Sequence, residues 1–183
     1  MIEKKGINEE IELLPKLTAK MEAGNLIISG PKGDAKKYFL NPLIQIDIKE
    51  KKIFLTSKRF TKREKKLLGT FRAHIKNLMK GATEGHEYKL KICSSHFPMS
   101  VTLDKDVLTV KNFFGGKHPI KLNIKKDVEV KINGSDILVT SCSKELAGQV
   151  AADIESLTRI TNKDRRIFQD GIYIIEKDGK TIR

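Results

Sequence analysis

The sequence has 183 residues, of which 36 are Lys or Arg and 23 are Asp or Glu, so its formal net charge is +13. Apolar residues make up 39%, enough for a packed core, whereas no apolar run approaches the roughly 20 residues of a membrane span, and the acidic start has no apolar signal core. These features exclude a membrane protein, favour an intracellular one, and make a polyanion, nucleic acid first, the expected partner.

In the first half, short apolar runs predict strands at 25–28, 44–48 and 52–57. A helix over 63–80 is predicted to follow them. Its apolar residues recur at i, i+4, i+8 and i+11 and so share one helix face; they are Leu67, Phe71, Ile75 and Leu78. Gly81 and Gly85 predict the end of this helix and a domain boundary.

A strongly basic segment lies between the last of these strands and the helix. It contains one acidic residue, Glu64, and six cations, which are Lys58, Arg59, Lys62, Arg63, Lys65 and Lys66. Cations at a helix start oppose the helix dipole, and an external anion would compensate them, so we predict RNA contact here. The alternative is an ordinary solvated charged face.

In the second half, strands are predicted at 106–110, 128–132 and 135–141, and a helix at 143–157. Asn133-Gly134 predicts a tight hairpin turn between the second and third of these strands. The order of elements is therefore the same as in the first half.

The similarity between the two halves extends to the residues. Ile53 aligns with Ile137 at an offset of 84, whereas Leu67 aligns with Leu146 at an offset of 79, so the first copy has five more residues between strand and helix. This internal duplication predicts an α+β protein of two tandem copies, each an antiparallel sheet with one helix. The predicted domains are 1–82 and 83–183.

Two segments of the second half combine cations, a turn and aromatic residues. In the first, two glycines allow close approach to a phosphate backbone; its candidate RNA contacts are Lys111, Asn112, Phe113, Gly115, Gly116, Lys117 and His118. Phe113 and Phe114 would stack on bases, or at least one of them would join the core. In the second segment the candidates are Lys163, Arg165 and Arg166, although a plain hairpin edge, or pairing of Arg166 with Asp170, explains that segment equally.

No enzyme constellation is present in the sequence. Cys93 and Cys142 fit a reducing compartment, and we expect both thiols to be free. Cys93 and His96 form a C-x-x-H pair, but nothing suggests the further ligands of a zinc site or the third group of a catalytic dyad. The Gly30–Gly33 run lacks the spacing of a phosphate-binding loop. We therefore predict no catalysis, no metal and no cofactor.

The sequence resembles the large-subunit ribosomal protein six family over almost the whole chain. The resemblance is carried by the duplication and by two runs, I-S-G-P-K-G at 28–33 and K-D-R-R-I-F-Q-D-G-I-Y at 163–173. The second run resembles the archaeal and eukaryotic branch. The resemblance implies a non-enzymatic protein of the cytoplasmic ribosome, whose C-terminal domain binds 23S-type rRNA near the sarcin-ricin loop and the stalk base. It also implies neighbouring large-subunit proteins, proximity to translational GTPases, and no membrane or cofactor.

Charge and resemblance differ over which half makes the main contact. Residues 1–82 contain 19 basic and 9 acidic residues, net +10, against 17 and 14, net +3, in 83–183. We nevertheless predict that Gly116→Val, or Arg165→Glu with Arg166→Glu, impairs incorporation into the large subunit while leaving the protein folded. The alternatives are a free-standing RNA-binding or ribosome-assembly factor of the same fold and, from another class, a small Cys/His enzyme.

Overall fold

The structure is a computed structural model that describes residues 6–49, 52–59, 61–164 and 166–182. It divides the chain into two units, the first ending at Gly85 and the second beginning at His86. The transition lies beyond the predicted boundary because the helix of the first unit continues to Thr83. Gly85, at a φ of 82°, then ends it with a backbone conformation that favours glycine.

The first unit contains six strands and one helix among its described residues. They are β1 (Ile7–Glu12), β2 (Thr18–Glu22), β3 (Asn25–Gly30), β4 (Gly33–Tyr38), β5 (Gln45–Lys49), β6 (Lys52–Ser57) and α1 (Lys62–Thr83). The strands form two antiparallel sheets, ordered β1-β6-β5 and β2-β3-β4. α1 packs on β3 and β4, and its Leu68 and Ile75 are buried.

The second unit contains eight strands, one helix and a short 3₁₀ turn among its described residues. They are β7 (His86–Cys93), β8 (Ser100–Asp104), β9 (Val107–Lys111), the turn (Phe113–Gly115), β10 (Ile120–Asn123), β11 (Glu129–Asn133), β12 (Asp136–Ser141), α2 (Lys144–Leu157), β13 (Gly171–Lys177) and β14 (Lys180–Thr181). The sheets are ordered β10-β9-β8 and β11-β12-β7-β13-β14. α2 packs on β7, β12 and β13.

The predicted duplication is confirmed by the strand order. β7-β12-β11 repeats β1-β6-β5, and β8-β9-β10 repeats β2-β3-β4, with α1 following β6 and α2 following the equivalent strand β12. The pairing register also repeats, because Ile11 lies opposite Ile53 and Leu90 lies opposite Ile137. The α+β class is therefore correct, with two sheets in each copy rather than the single sheet that we predicted.

The two helices differ at their ends. From strand to helix the chain advances from Ser57 to Lys62 in the first unit and from Ser141 to Lys144 in the second. Five residues of α1 precede Leu67, whereas only two residues of α2 precede the aligned Leu146. Three of the five extra residues therefore belong to α1. The predicted five-residue bulge is thus wrong, because most of the insertion continues the helix.

The end of α1 explains the Gly30–Gly33 run. A Cβ on Gly30 would lie 2.4 Å from the carbonyl oxygen of Ala82 and 2.6 Å from Cδ2 of Leu17. The backbone N–H of Lys32 donates to that same carbonyl at 3.1 Å. The β3–β4 turn therefore sits directly on the last turn of α1, and glycine is required there for close packing.

Candidate nucleic-acid interface

The start of α1 exposes the basic segment predicted from the sequence. Lys58, Arg59, Lys62, Arg63, Lys65 and Lys66 are all exposed. Within the ranges that the structure describes, none of these six side chains pairs with a carboxylate. A cavity of about 700 Å³ lies beside the segment, with Lys58, Arg59 and Asn41 among its lining residues.

The α1 start also carries a cap that was not predicted from the sequence. Thr61 is the N-cap residue: its side chain accepts the backbone N–H of Arg63 at 3.3 Å, and its hydroxyl donates to the buried carboxylate of Glu64. The hydrogen bond from the Thr61 side chain is the main reason why the pKa of Glu64 is lowered. The T-x-x-E spacing is a capping-box signature and was the available signal.

In the second unit, the predicted loop between β9 and β10 is longer than its counterpart. Seven positions separate Ile28 from its cross-strand partner Ala35, and ten separate Val110 from Ile120, so the second copy has three additional residues here. Asn112, Phe114 and Gly115 have positive φ values of 60°, 51° and 72°. For a bulky residue such as Phe114 that conformation costs of order 1–3 kcal/mol and requires support from surrounding contacts.

Those contacts come from the segment that follows α2. The Nζ atom of Lys163 lies 4.7 Å from the ring centroid of Phe114 and 4.6 Å from that of Phe168. The two rings are 5.9 Å apart. Phe113, 4.8 Å from Phe114, packs half-buried against the hydrophobic core of the unit. At least one of the two phenylalanines therefore belongs to the core, as expected.

A third segment, the β7–β8 loop, joins this arrangement. The Asp170 carboxylate, only 2% exposed, accepts the backbone N–H groups of Ser95 and His96 and contacts Nδ1 of His96 at 3.3 Å. The His96 ring lies 5.2 Å from that of Phe168. Asn112 Nδ2 donates to the carbonyl oxygen of Pro98 at 2.9 Å. The three segments therefore meet at one end of the unit.

We refer to this arrangement as the three-loop cluster. Its members come from the β7–β8 loop, the β9–β10 loop and the segment after α2, and they are His96, Phe97, Asn112, Phe114, Gly115, Lys163, Phe168 and Asp170. The predicted glycine-rich loop and the Lys163 segment are thus brought together. The β7–β8 loop was missed as part of the site, because the sequence pattern pointed to its His96 only as a metal ligand or catalytic residue.

The pKa of Asp170 reflects two opposing effects. Burial alone would raise it, but the backbone N–H groups of Ser95 and His96, together with the His96 ring, outweigh burial and hold it below the usual value of 3.8. The carboxylate is therefore ionised at neutral pH and fixes the β7–β8 loop. The sequence left open a pairing of Asp170 with Arg166; the contacts of Asp170 are instead to Ser95 and His96.

Most of the predicted contacts in the second unit face solvent. The exposed ones are Lys111, Asn112, Gly115, Gly116, Lys117, His118, Lys163 and Arg166. Arg165 lies outside the described residues. A Cβ on Gly116 would be 3.0 Å from the carbonyl oxygen of Phe113, so Gly116→Val forces the loop to shift and would not test RNA contact alone.

Other classes of site have no support in the described ranges. Those residues contain no group of three or more His, Cys, Asp or Glu side chains placed to hold a metal ion. Neither Cys93 nor Cys142, both within those ranges, forms a disulfide bond. No helix in this part of the chain has the length and hydrophobicity needed to cross a bilayer.

Comparison with known proteins gives matches over nearly the full length. A family model described as ribosomal protein L6 matches residues 97–171, which include most of the three-loop cluster. Three archaeal proteins named large ribosomal subunit protein uL6 are similar to the chain. The Methanococcus vannielii protein is 38% identical, and the match covers 96% of this chain and 97% of that protein. The Methanobrevibacter smithii protein is 35% identical, with coverage of 97% of this chain and 100% of that protein. The Halobacterium salinarum protein is 36% identical, with coverage of 93% of this chain and 96% of that protein.

Proposed function

Because the chain belongs to the ribosomal protein L6 family, we propose that it is a structural, non-catalytic protein of the large ribosomal subunit in the cytoplasm, and that it binds large-subunit rRNA. The relatives support this proposal through their names, which are those of large-subunit proteins, and through similarity that covers both chains almost completely. Its partners are then rRNA and other ribosomal proteins.

The observation that carries the rRNA contact is the three-loop cluster. Four cations on or beside it are exposed, namely Lys111, Lys117, Lys163 and Arg166. Lys163 is held between two aromatic rings and therefore has a defined position. Fixed cations beside a backbone turn with two glycines suit a phosphate backbone, whose contacts set the register of a protein on RNA. We therefore assign the register-setting contact to the second unit, with Arg165 as a further candidate.

The start of α1 has a different role in this proposal. Its exposed cations are carried on a regular helix start, so they neutralise phosphate rather than select a structure. Such a surface increases the rate of association and the salt dependence of binding. We propose that the first unit steers the protein to RNA and the second unit fixes it there.

The finer location rests on the family resemblance. We propose that the second unit binds 23S-type rRNA near the sarcin-ricin loop and the stalk base, close to where translational GTPases dock. The alternative, a free-standing RNA-binding or assembly factor of this fold, predicts that the protein leaves the subunit once assembly is finished. Sedimentation of mature large subunits in sucrose gradients separates the two, since a resident protein remains with them.

The proposed contact is tested by reversing two charges, Lys117→Glu with Arg166→Glu. We expect this tagged variant, expressed in an archaeal host, to be lost from the large-subunit peak of a sucrose gradient while its circular dichroism stays that of the wild type. The matched control is Lys125→Glu with Lys126→Glu, an equal charge change at two exposed positions of the same unit. Normal incorporation of the first variant, or equal loss of both, contradicts the assignment.

A further inference from the structure

We infer that Phe97 is a stacking platform for an unpaired nucleobase, an inference that rests on the proposed rRNA binding and names the kind of RNA structure that the second unit selects. Phe97 lies at the tip of the β7–β8 loop and is 45% exposed. A single exposed apolar side chain is common on protein surfaces, so the inference rests on how this ring is held and on the charges of the neighbouring loop.

The loop holds Phe97 in one place from both sides. On the N-terminal side, the buried Asp170 carboxylate accepts the backbone N–H groups of Ser95 and His96. On the C-terminal side, Asn112 donates to the carbonyl oxygen of Pro98 at 2.9 Å. An aromatic ring that is fixed before binding loses little conformational entropy when it stacks, so it contributes more to affinity than a ring on an unrestrained loop.

Gly115 lies beneath one side of the ring. A Cβ at Gly115 would lie 3.5–3.7 Å from three atoms of the Phe97 ring, an ordinary van der Waals distance, so the glycine is the ring's neighbour on this side. Gly115 also has a φ of 72°, which a residue with a side chain rarely adopts. The β9–β10 loop thus lies along one side of the ring, while Phe97 remains 45% exposed to solvent.

The charges on the β9–β10 loop, whose Gly115 lies beside the ring, favour RNA as the occupant over an apolar protein surface. Lys111, Lys117 and His118 on the β9–β10 loop are exposed. Asp170, which lies at the base of the β7–β8 loop, is buried and already accepts three groups from it. An exposed aromatic ring amid cations is the usual combination for binding unpaired bases, in which the ring stacks and the cations hold the backbone.

The test measures binding of the full chain to an in vitro transcript of Methanococcus vannielii large-subunit rRNA at several salt concentrations. We expect Phe97→Ala and Phe97→Leu to weaken binding by about tenfold to a hundredfold, because each stacked base contributes on that scale. Phe97→Tyr keeps a planar ring and should bind like the wild type. The slope of affinity against salt should not change in any of these variants, since no phosphate contact is removed.

The first copy offers a matched control. Tyr38 is 57% exposed and also lies beside a glycine of positive φ, since a Cβ on Gly24 would lie 3.0 Å from its ring. Tyr38→Ala should leave binding unchanged. The inference is overturned if Phe97→Ala binds normally, if Phe97→Leu retains the affinity that Phe97→Ala loses, or if Phe97→Tyr is as weak as both. Failure of the wild-type protein to bind the transcript would instead overturn the proposed function.

Discussion

The loop between the first and second strands of each copy is held in two different ways. In the first unit, this loop buries Leu13 and Leu17 and is fixed by its own apolar side chains. In the second unit, the loop is polar and exposed over 94–98, and its anchors come from Asp170 and Asn112, which lie elsewhere in the chain. Anchoring from outside leaves the loop's own aromatic residue, Phe97, free to face solvent.

The additions to the shared fold also fall in different places. The first copy extends the start of its helix with cations, and the second lengthens the β9–β10 loop and adds β13 and β14. Duplication preserves strand order and register because these are fixed by the buried faces of the strands, while the connections are free to change. The copies therefore share a scaffold and differ in the surfaces that we propose for RNA binding.

The largest expected effect is on the salt dependence of RNA binding. Replacing Lys62, Arg63, Lys65 and Lys66 with Ala should reduce the slope of log affinity against log salt by about three to four units if all four touch phosphate, because each contact releases counterion. Titrations of rRNA at several salt concentrations measure it. The charge-matched control replaces four exposed lysines outside the basic segment at the α1 start with Ala; they are Lys20, Lys36, Lys125 and Lys126. Equal slopes for both variants would make the α1 start an ordinary solvated face.

The second-largest expected effect tests whether the Asp170 carboxylate holds the β7–β8 loop. Asp170→Asn removes a charged acceptor and should lower the free energy of unfolding by about 1.5–3 kcal/mol at neutral pH. Because the folded-state pKa of Asp170 lies below its unfolded value, this stabilisation is complete above the unfolded pKa and is lost as pH falls through the folded one. The difference in the free energy of unfolding between wild type and Asp170→Asn should therefore be constant from about pH 8 to about pH 5 and should decrease below about pH 4.

The first copy provides the contrast. Leu17→Ala should cost about 2–5 kcal/mol, the usual range for emptying a buried leucine site, with no dependence on pH over that interval. Urea unfolding followed by circular dichroism measures both variants. If the difference in the free energy of unfolding between wild type and Asp170→Asn does not change between about pH 7 and about pH 3.5, the carboxylate does not fix the β7–β8 loop.

The smallest effect concerns the glycine that both helices share. A Cβ on Gly69 would meet no neighbouring atom within 4 Å, whereas a Cβ on Gly148 would lie 3.1 Å from the hydroxyl of Tyr88. The strand position of Tyr88 is occupied by Glu9 in the first copy, since they lie opposite Val139 and Leu55 respectively. Gly69→Ala should therefore raise the free energy of unfolding by about 1 kcal/mol through helix propensity.

Gly148→Ala should instead lower the free energy of unfolding, because Tyr88 is 7% exposed on a strand with neighbours on both sides and must shift its hydroxyl within packed surroundings. The same urea titration compares the two substitutions. If both stabilise the protein equally, Tyr88 does not explain the glycine, and the difference between the copies at this position has no consequence for packing.

The sequence predicts the parts of this fold that have strong hydrophobic patterns. Helical or alternating apolar residues reveal the central parts of both helices, the β5–β6 and β11–β12 hairpins, β9 and the first part of β3. These elements were therefore predicted. β4 was missed because, of its six residues, only Ala35 is buried. β1 was missed because its sequence, INEEIE, is mostly polar and acidic. Both strands are stabilised by pairing with partners that no local pattern reveals.

The candidate site was only half predictable for a related reason. The cations and glycines of the β9–β10 loop are visible in the sequence, because their residue types already suggest phosphate contact. The role of Phe97 depends on Asp170 and Asn112, which are 73 and 15 positions away and meet it only in the folded unit. Long-range contacts of that kind decide which aromatic residue is exposed, and local sequence does not encode them.

The last long strand has a consequence for how the protein is made. β13 pairs with β7, and Ile172 lies opposite Ile92, 80 positions earlier in the chain. Synthesis delivers the N-terminus first, so every element of the first unit has been made well before β13 exists. One edge of β7 must wait unpaired until β13 has been made, and closing so long a loop is slow. Since Asp170 immediately precedes β13, the Phe97 loop gains its Asp170 anchor only after residue 170 has been made.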